Sequence, residues 1–306
     1  VDYLFSLFTS ETFSRSYAGR QLSIAVDAGN GMGGHTAPAV LARVNASVAP
    51  LYFDLDGTFP NHEANPIDAK NMVDLQKTVR SKKCDIGLAF DGDADRCFIV
   101  DELGELVSPS AMTALIASRE LSIHPNSAVI YNLICSQAVP ETIRESGGKP
   151  IRSRVGHSFI KELMANHDAI FGGEHSGHFY FKRFWRADSG MLAALHVIAA
   201  LLESGQPLSA LIAPFNRYHL SGEINTRVAD TSKSITKVRS HFSSSPSIEF
   251  DELDGLTVIN TAVGEEWRFN LRPSNTEPLL RLNAEARDAG RMKAITSQVL
   301  ELLKSQ

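Results

Sequence analysis

The chain has 306 residues, 43% of them hydrophobic and 21% charged, which is enough for two or three globular domains. Its net charge of −5 argues against non-specific nucleic-acid binding. No apolar run approaches the roughly 18 residues of a membrane span, and no basic-then-apolar signal opens the chain, so no membrane partner and a cytoplasmic location are expected.

Residues 1–18 carry scattered Tyr3, Leu4, Phe5, Leu7 and Phe8 in a loosely helical pattern that reads as a packing helix. The segment from Gln21 to Val26 reads as a strand running into the glycine-rich turn from Asp27 to Gly34. Such a turn is either a tight strand-to-helix connection or a phosphate cradle, and its spacing fits neither a dinucleotide fingerprint nor a Walker loop. A helix to about Val44, a strand near Ala49 to Phe53, and strand-helix alternation through Val100 predict a parallel α/β unit. Asp54-Leu55-Asp56-Gly57-Thr58 resembles the nucleophile loop of haloacid-dehalogenase-type phosphatases. Pro50 shortens the strand before it, and no later Gly-Asp-x-x-x-Asp motif follows.

Asp91-Gly92-Asp93-Ala94-Asp95-Arg96 lies between two strand-like apolar runs. In an extended turn the three carboxylates, at alternate positions, face one side, and Gly92 lets the chain turn. Three hard oxygen ligands with coordination positions to spare suit Mg²⁺, and Arg96 beside them suits a phosphate. The location is the carboxyl end of a strand, where α/β sheets favour ligand sites.

A second unit runs from about Val107 to Arg217, with helices at Pro109 to Leu121, Gln137 to Ser146, Gly156 to Met164 and Asp188 to Glu203 between strands. Within it Glu174-His175-Ser176-Gly177-His178 gathers a carboxylate, a hydroxyl and two imidazoles, a set fit to hold vicinal sugar hydroxyls and to move a proton near neutral pH. Zinc on His175 and His178 is compatible with the spacing but lacks further ligands. From about Tyr218 strands run consecutively between helices, which predicts an α+β unit. There Arg272-Pro273-Ser274-Asn275-Thr276-Glu277-Pro278 reads as a donor-only cup for a phosphate dianion. Cys84, Cys97 and Cys135, odd in number and in apolar surroundings, read as buried free thiols.

With these three motifs in this order the chain resembles the α-D-phosphohexomutase family, closest to its bacterial phosphomannomutase/phosphoglucomutase members. Val26-Asp27-Ala28-Gly29-Asn30-Gly31 and Gly57-Thr58-Phe59-Pro60-Asn61-His62 add to the match and weaken the phosphatase alternative at Asp54. The resemblance implies two tandem mixed-sheet α/β domains at 1–106 and 107–217, then a smaller α+β C-terminal domain at 218–306. It also implies that hexose 1-phosphates and 6-phosphates, of mannose and of glucose, interconvert through a phosphoserine and a bisphosphosugar. Asp91, Asp93 and Asp95 would bind Mg²⁺ and Arg96 would face the transferring phosphoryl group. Glu174 and Ser176 would hold sugar hydroxyls, His157 and His178 would be candidate proton carriers, and Arg272, Ser274, Asn275 and Thr276 would hold the other phosphate. Two departures stand out. Nothing matches the family's Thr-Ala-Ser-His-Asn-Pro-like phosphoserine loop, and Ile134 stands where some members have a Lys. Val as residue 1 points to either processing or a cut from a longer polypeptide, and the expectation is a chain lacking the phosphoserine domain and inactive alone, with a non-catalytic sugar-phosphate-binding remnant as the alternative.

Overall fold

The computed structural model describes residues 1–274 and 278–304. These group into two compact units, Val1–Ile151 with His157–Phe215, and Arg152–Gly156 with Asn216–Gln306.

In the first unit, α1 (Asp2–Ser6) precedes a five-stranded sheet built from β1 (Leu22–Asp27), β2 (Ala46–Leu51), β3 (Ile86–Phe90), β4 (Cys97–Asp101) and β5 (Leu106–Val107), with α2 (Gly33–Leu41) and α3 (Val73–Lys82) between strands. The order is β2-β1-β3-β4-β5. β1 lies parallel to β2 and β3, whereas β4 runs antiparallel to β3. The all-parallel expectation through Val100 is therefore corrected at β4, because the six-residue acidic loop between β3 and β4 is too short for the crossover that parallel pairing needs.

A second sheet in the same unit, ordered β10-β9-β8-β6-β7, combines β6 (Ala128–Asn132), β7 (Lys149–Ser153), β8 (Phe171–Gly173), β9 (Phe179–Phe181) and β10 (Ala187–Asp188) with α4 (Pro109–Ile123), α5 (Ala138–Glu145), α6 (His157–Asn166), α7 (Gly190–Ser204) and α8 (Leu208–Ile212). β6 and β8 are parallel, while β9 and β10 return antiparallel. Helices α4 and α7 are buried along nearly their whole length at the centre of one continuous core that serves both sheets. Their starts are set locally. Ser108 caps α4 with Pro109 in the first turn, and Ser189 Oγ accepts from Leu192 N to cap α7, each cap contributing about 1 kcal/mol. Among the described residues no single helix is long and apolar enough to cross a membrane.

The second unit is an antiparallel sheet, β11-β16-β15-β14-β13, with β12 also paired to β16. It uses β11 (His219–Leu220), β12 (Ile224–Arg227), β13 (Ile248–Asp251), β14 (Leu256–Asn260), β15 (Trp267–Pro273) and β16 (Leu279–Ala286), covered by α9 (Thr231–Phe242) and α10 (Ala289–Lys304). Two short strands, β11 and β12, open this unit, separated at Gly222, whose φ of 69° lies in the left-handed region. All three cysteines are free and buried, as expected.

Candidate active site

The acidic loop closes as a turn. Ala94 N donates to Asp91 O at 3.1 Å and Ala94 adopts φ 64°, so the three carboxylates converge on a turn made at Ala94, where the sequence suggested Gly92. Their oxygens still lie within 4.8 Å of one another. Asp91 is buried, Asp95 half-buried and Asp93 exposed. Arg96 grips Asp91 twice, through Nε at 2.6 Å and through its backbone N–H at 3.1 Å, and reaches Asn65 Oδ1 at 3.4 Å. From the other side Met32 N donates to Gly92 O at 2.9 Å. Gly31 sits so close that a Cβ there would meet that carbonyl oxygen at 2.6 Å, which ties the glycine-rich turn to the acidic loop.

Asp95 Oδ1 is buried without a hydrogen-bond partner. Its contacts to Arg96 Nε at 3.9 Å and His178 Nδ1 at 3.7 Å are Coulombic and too long for hydrogen bonds. Burial above all, then the charges of Asp91, Asp93 and Asp188, push its carboxyl up to about 6 against the pull of His178. Three converging carboxylates with one guanidinium for compensation and one orphaned oxygen form a donor set that fits a hard divalent cation. A cavity of about 480 Å³ opens beside them, lined by Asp93, Asp95, Asp188, His35, Phe184 and Met191 among others.

The loop from Glu174 to His178 is packed directly on this loop. Arg96 and His178 form an isolated antiparallel bridge, and Cys97 N donates to Gly177 O at 3.3 Å. Gly177 has φ 90°, and a Cβ there would lie 2.4 Å from the Phe98 ring, so no other residue fits. Glu174 is buried, with Asn132 Nδ2 donating to Oε1 at 3.2 Å and Tyr180 Oη donating to Oε2 at 2.7 Å. Burial, followed by the Glu174 charge, raises the Tyr180 phenol well above its ordinary value. His175 Nδ1 lies 3.1 Å from Ser110 Oγ, while Ser176 Oγ is buried with no partner.

His178 Nδ1 lies 3.0 Å from Asp188 Oδ2, and Lys161 Nζ lies 3.1 Å from Asp188 Oδ1. Burial opposes the charged imidazole, yet the Asp188 hydrogen bond and the charges of Asp95, Asp188 and Glu174 leave its pKa raised. Burial likewise opposes the Asp188 carboxylate, and the bonds from His178 and Lys161 hold it well below the usual range. His157 is exposed at the start of α6, one turn before Lys161 on the same face. Asp54 is exposed and outside every acidic group found among the described residues.

In the second unit, Arg272 is 8% exposed. Its Nη2 meets Glu223 Oε2 at 3.5 Å, and Glu223 Oε1 meets Arg281 Nη1 at 3.3 Å. Burial lowers the Arg272 pKa, with Glu223 opposing and Arg281 assisting. The donor-only cup therefore carries an acceptor, Glu223, that lies some 50 residues away in sequence and was invisible at short range. Arg281 Nη2 points at Ser274 Oγ from 3.5 Å. Asn275 and Thr276 lie outside the described residues. Sequence reasoning also missed Asn132, Tyr180, Lys161 and Asp188. Asn132 ends a strand and Tyr180 alternates with His178, signals that the rules for strand ends and strand faces could have caught.

The descriptions phosphoglucomutase/phosphomannomutase alpha/beta/alpha domain II, alpha/beta/alpha domain III and C-terminal domain match residues 2–104, 108–218 and 223–302 in turn. The chain belongs to this family. It is 40% identical to a phosphomannomutase of Salmonella montevideo over 93% of its own length and 63% of that protein. A phosphoglucomutase/phosphomannomutase family protein from Burkholderia thailandensis has the same fold, with a TM-score of 0.85 at 29% identity over 99% of this chain and 64% of that one. The Aspergillus fumigatus N-acetylphosphoglucosamine mutase, solved with GlcNAc-6P and magnesium, shares the fold alone, with a TM-score of 0.66 at 17% identity over 96% of this chain and 64% of that one. The chain thus spans under two thirds of each of these relatives.

Proposed function

We propose that these residues are the cation-binding and sugar-phosphate-binding portion of a phosphohexomutase that interconverts hexose 1-phosphates and 6-phosphates of mannose and glucose. The observation that carries this reading is the pairing of the acidic loop with the sugar loop through Arg96 and His178 in one rigidly packed core. Asp91, Asp93 and Asp95 would hold Mg²⁺, which supplies charge neutralisation for phosphoryl transfer. Asp95 Oδ1 and Ser176 Oγ, both buried without partners, are the atoms such ligands would satisfy. Arg96 orients Asp91 and presents its remaining guanidinium N–H groups to a phosphoryl group. Glu174, Ser176 and His175 would hold sugar hydroxyls, and Arg272 and Ser274 a phosphate. Asn275 and Thr276 are assigned to that phosphate by resemblance alone. His157 and His178 would carry protons.

The phosphoryl donor of the family is a serine for which these 306 residues offer no matching loop, so the reading expects binding without turnover from this chain. A sugar-phosphate-binding protein without catalysis is the second reading, resting on the lack of a matching serine loop in these residues. Calorimetric titration with mannose 1-phosphate and Mg²⁺, beside a coupled mutase assay containing a bisphosphosugar, tests both. Binding without turnover is expected; turnover abolished by Asp91→Asn would overturn the missing donor, and no binding at millimolar ligand would overturn the whole reading. A longer form of the protein that turns over distinguishes the mutase from the second reading.

A further inference from the structure

We propose that Asp188 is a positioning residue which decides the nitrogen that the His178 imidazole turns to the reactants, an assignment that deepens the sugar-phosphate reading above. The placement is built from three elements. β10 delivers Asp188 opposite Tyr180 of β9 in antiparallel register, so its carboxylate and the imidazole two residues before Tyr180 meet along the sheet edge. Oδ2 takes His178 Nδ1 at 3.0 Å while Oδ1 is held by Lys161 Nζ at 3.1 Å from helix α6. Both oxygens are spent, and the Asp188 side chain is 14% exposed, so it has little freedom to turn elsewhere.

A carboxylate accepts only, so the neutral imidazole must carry its proton on Nδ1, leaving the lone pair on Nε2. Nε2 has no hydrogen-bond partner among the described residues. It is therefore the atom available to take a proton from a sugar hydroxyl or, once protonated, to return it. The other acidic groups around the ring do not fix this choice. Asp95 Oδ1 is farther from Nδ1, at 3.7 Å, and Glu174 is occupied by Asn132 and Tyr180. Without Asp188 the ring would revert to the Nε2–H form that a free imidazole prefers and would be loose about its side-chain torsions. Carboxylates that orient a catalytic histidine in other enzymes act by the same logic.

The test is two-bond ¹H–¹⁵N NMR of the 306-residue chain with labelled histidine, above the titration range of the imidazoles, with the His178 signals assigned by loss in His178→Gln. The expected wild-type pattern has the proton on Nδ1, and Asp188→Ala moves it wholly or partly to Nε2. A wild-type proton on Nε2, or an Asp188→Ala spectrum that keeps the proton on Nδ1, overturns the proposal. Should Asp188→Ala fail to fold, the wild-type pattern decides by itself. Titration with mannose 1-phosphate adds a second arm. Wherever calorimetry shows the ligand bound, the Nε2 resonance is expected to shift, and bound ligand with an unmoved Nε2 overturns the proposal. Absence of any binding counts against the proposed function, while the tautomer still decides the role of Asp188.

Discussion

Arg96 Nε donates to Asp91 Oδ2 at 2.6 Å while the backbone N–H of the same residue donates to Oδ1 at 3.1 Å. One carboxylate of the acidic cluster is thereby fixed in orientation, and its burial makes the fixing strong. Removing the guanidinium strands a buried charge, which costs far more than a surface pair would. Arg96→Ala should lower unfolding stability by about 3 kcal/mol, read by urea denaturation in metal-free buffer. Arg96→Lys should recover only part of that, since an ammonium cannot reproduce the Nε geometry. Equal stability of wild type and Arg96→Ala would show that Asp91 needs no clamp.

The two acidic loops separate cleanly in a cation titration. Calorimetry with Mg²⁺ should show binding abolished in Asp91→Asn, weakened at least tenfold in Asp95→Asn, and unchanged in Asp54→Asn, whose carboxylate lies exposed away from the cluster. The pH dependence follows from Asp95, which burial and its neighbours raise from 3.8 to about 6. A proton on that carboxyl competes with the cation. Affinity should therefore fall as pH drops through about 6, approaching tenfold per unit, and level off above it. Loss of Mg²⁺ binding in Asp54→Asn would return the phosphatase loop to consideration.

Much of this was legible because the informative residues sit next to one another in sequence. The acidic hexapeptide, the Glu174 to His178 loop and the Arg272 cup are each local in sequence. What was not legible is what the fold brings together. Asp188 reads as the first residue of a helix, whereas it closes β10 and the helix starts at Gly190, and nothing in Ala187-Asp188-Ser189 announces a partner ten residues back, just before β9. Glu223 is likewise an ordinary surface glutamate until pairing of β12 with β16 sets it beside two arginines. The acidic loop was legible as a turn but not at the residue that makes it, because Gly92 suggested the bend and Ala94 takes the left-handed conformation. Side-chain convergence is the same either way, since a turn gathers three neighbouring carboxylates as well as a strand face does.

His196 gives the first unit an acid-sensitive core. Burial, with the charges of Arg119 and Arg183 adding to it, pushes the imidazole down to about 3. The unfolded chain binds a proton below about 6.5 that the folded chain refuses, so this contribution is intact above that pH and is lost as pH falls toward 3, by up to about 1.4 kcal/mol per unit. Glu120, 3.5 Å away, works in the opposite sense, because burial raises its carboxyl and its stability contribution is lost as pH rises. His196→Gln should flatten the acid limb of the stability profile while leaving the Glu120 limb. Urea midpoints at about pH 7 and about pH 5 for wild type and variant provide the comparison. Identical slopes for the two proteins would show that the imidazole titrates freely in the fold.

In the second unit, Glu223 already occupies one face of both Arg272 and Arg281 at 3.5 and 3.3 Å. Nε of each arginine is buried without a partner. The two guanidiniums carry one more positive charge than Glu223 neutralises, and their unspent N–H groups can donate to a phosphate dianion. The carboxylate shares those donors and repels the dianion at short range, which weakens the site without filling it. Arg272→Ala should therefore lower affinity for inorganic phosphate at least tenfold, about 1.4 kcal/mol, and Glu223→Gln should raise it severalfold while keeping an acceptor oxygen for one of the two arginines. Titration of the full chain with phosphate, followed by amide NMR shifts in β15 and β16, reads both variants on the same scale. Weaker phosphate binding in Glu223→Gln would show that the carboxylate serves to hold the guanidiniums in place more than it competes with the ligand.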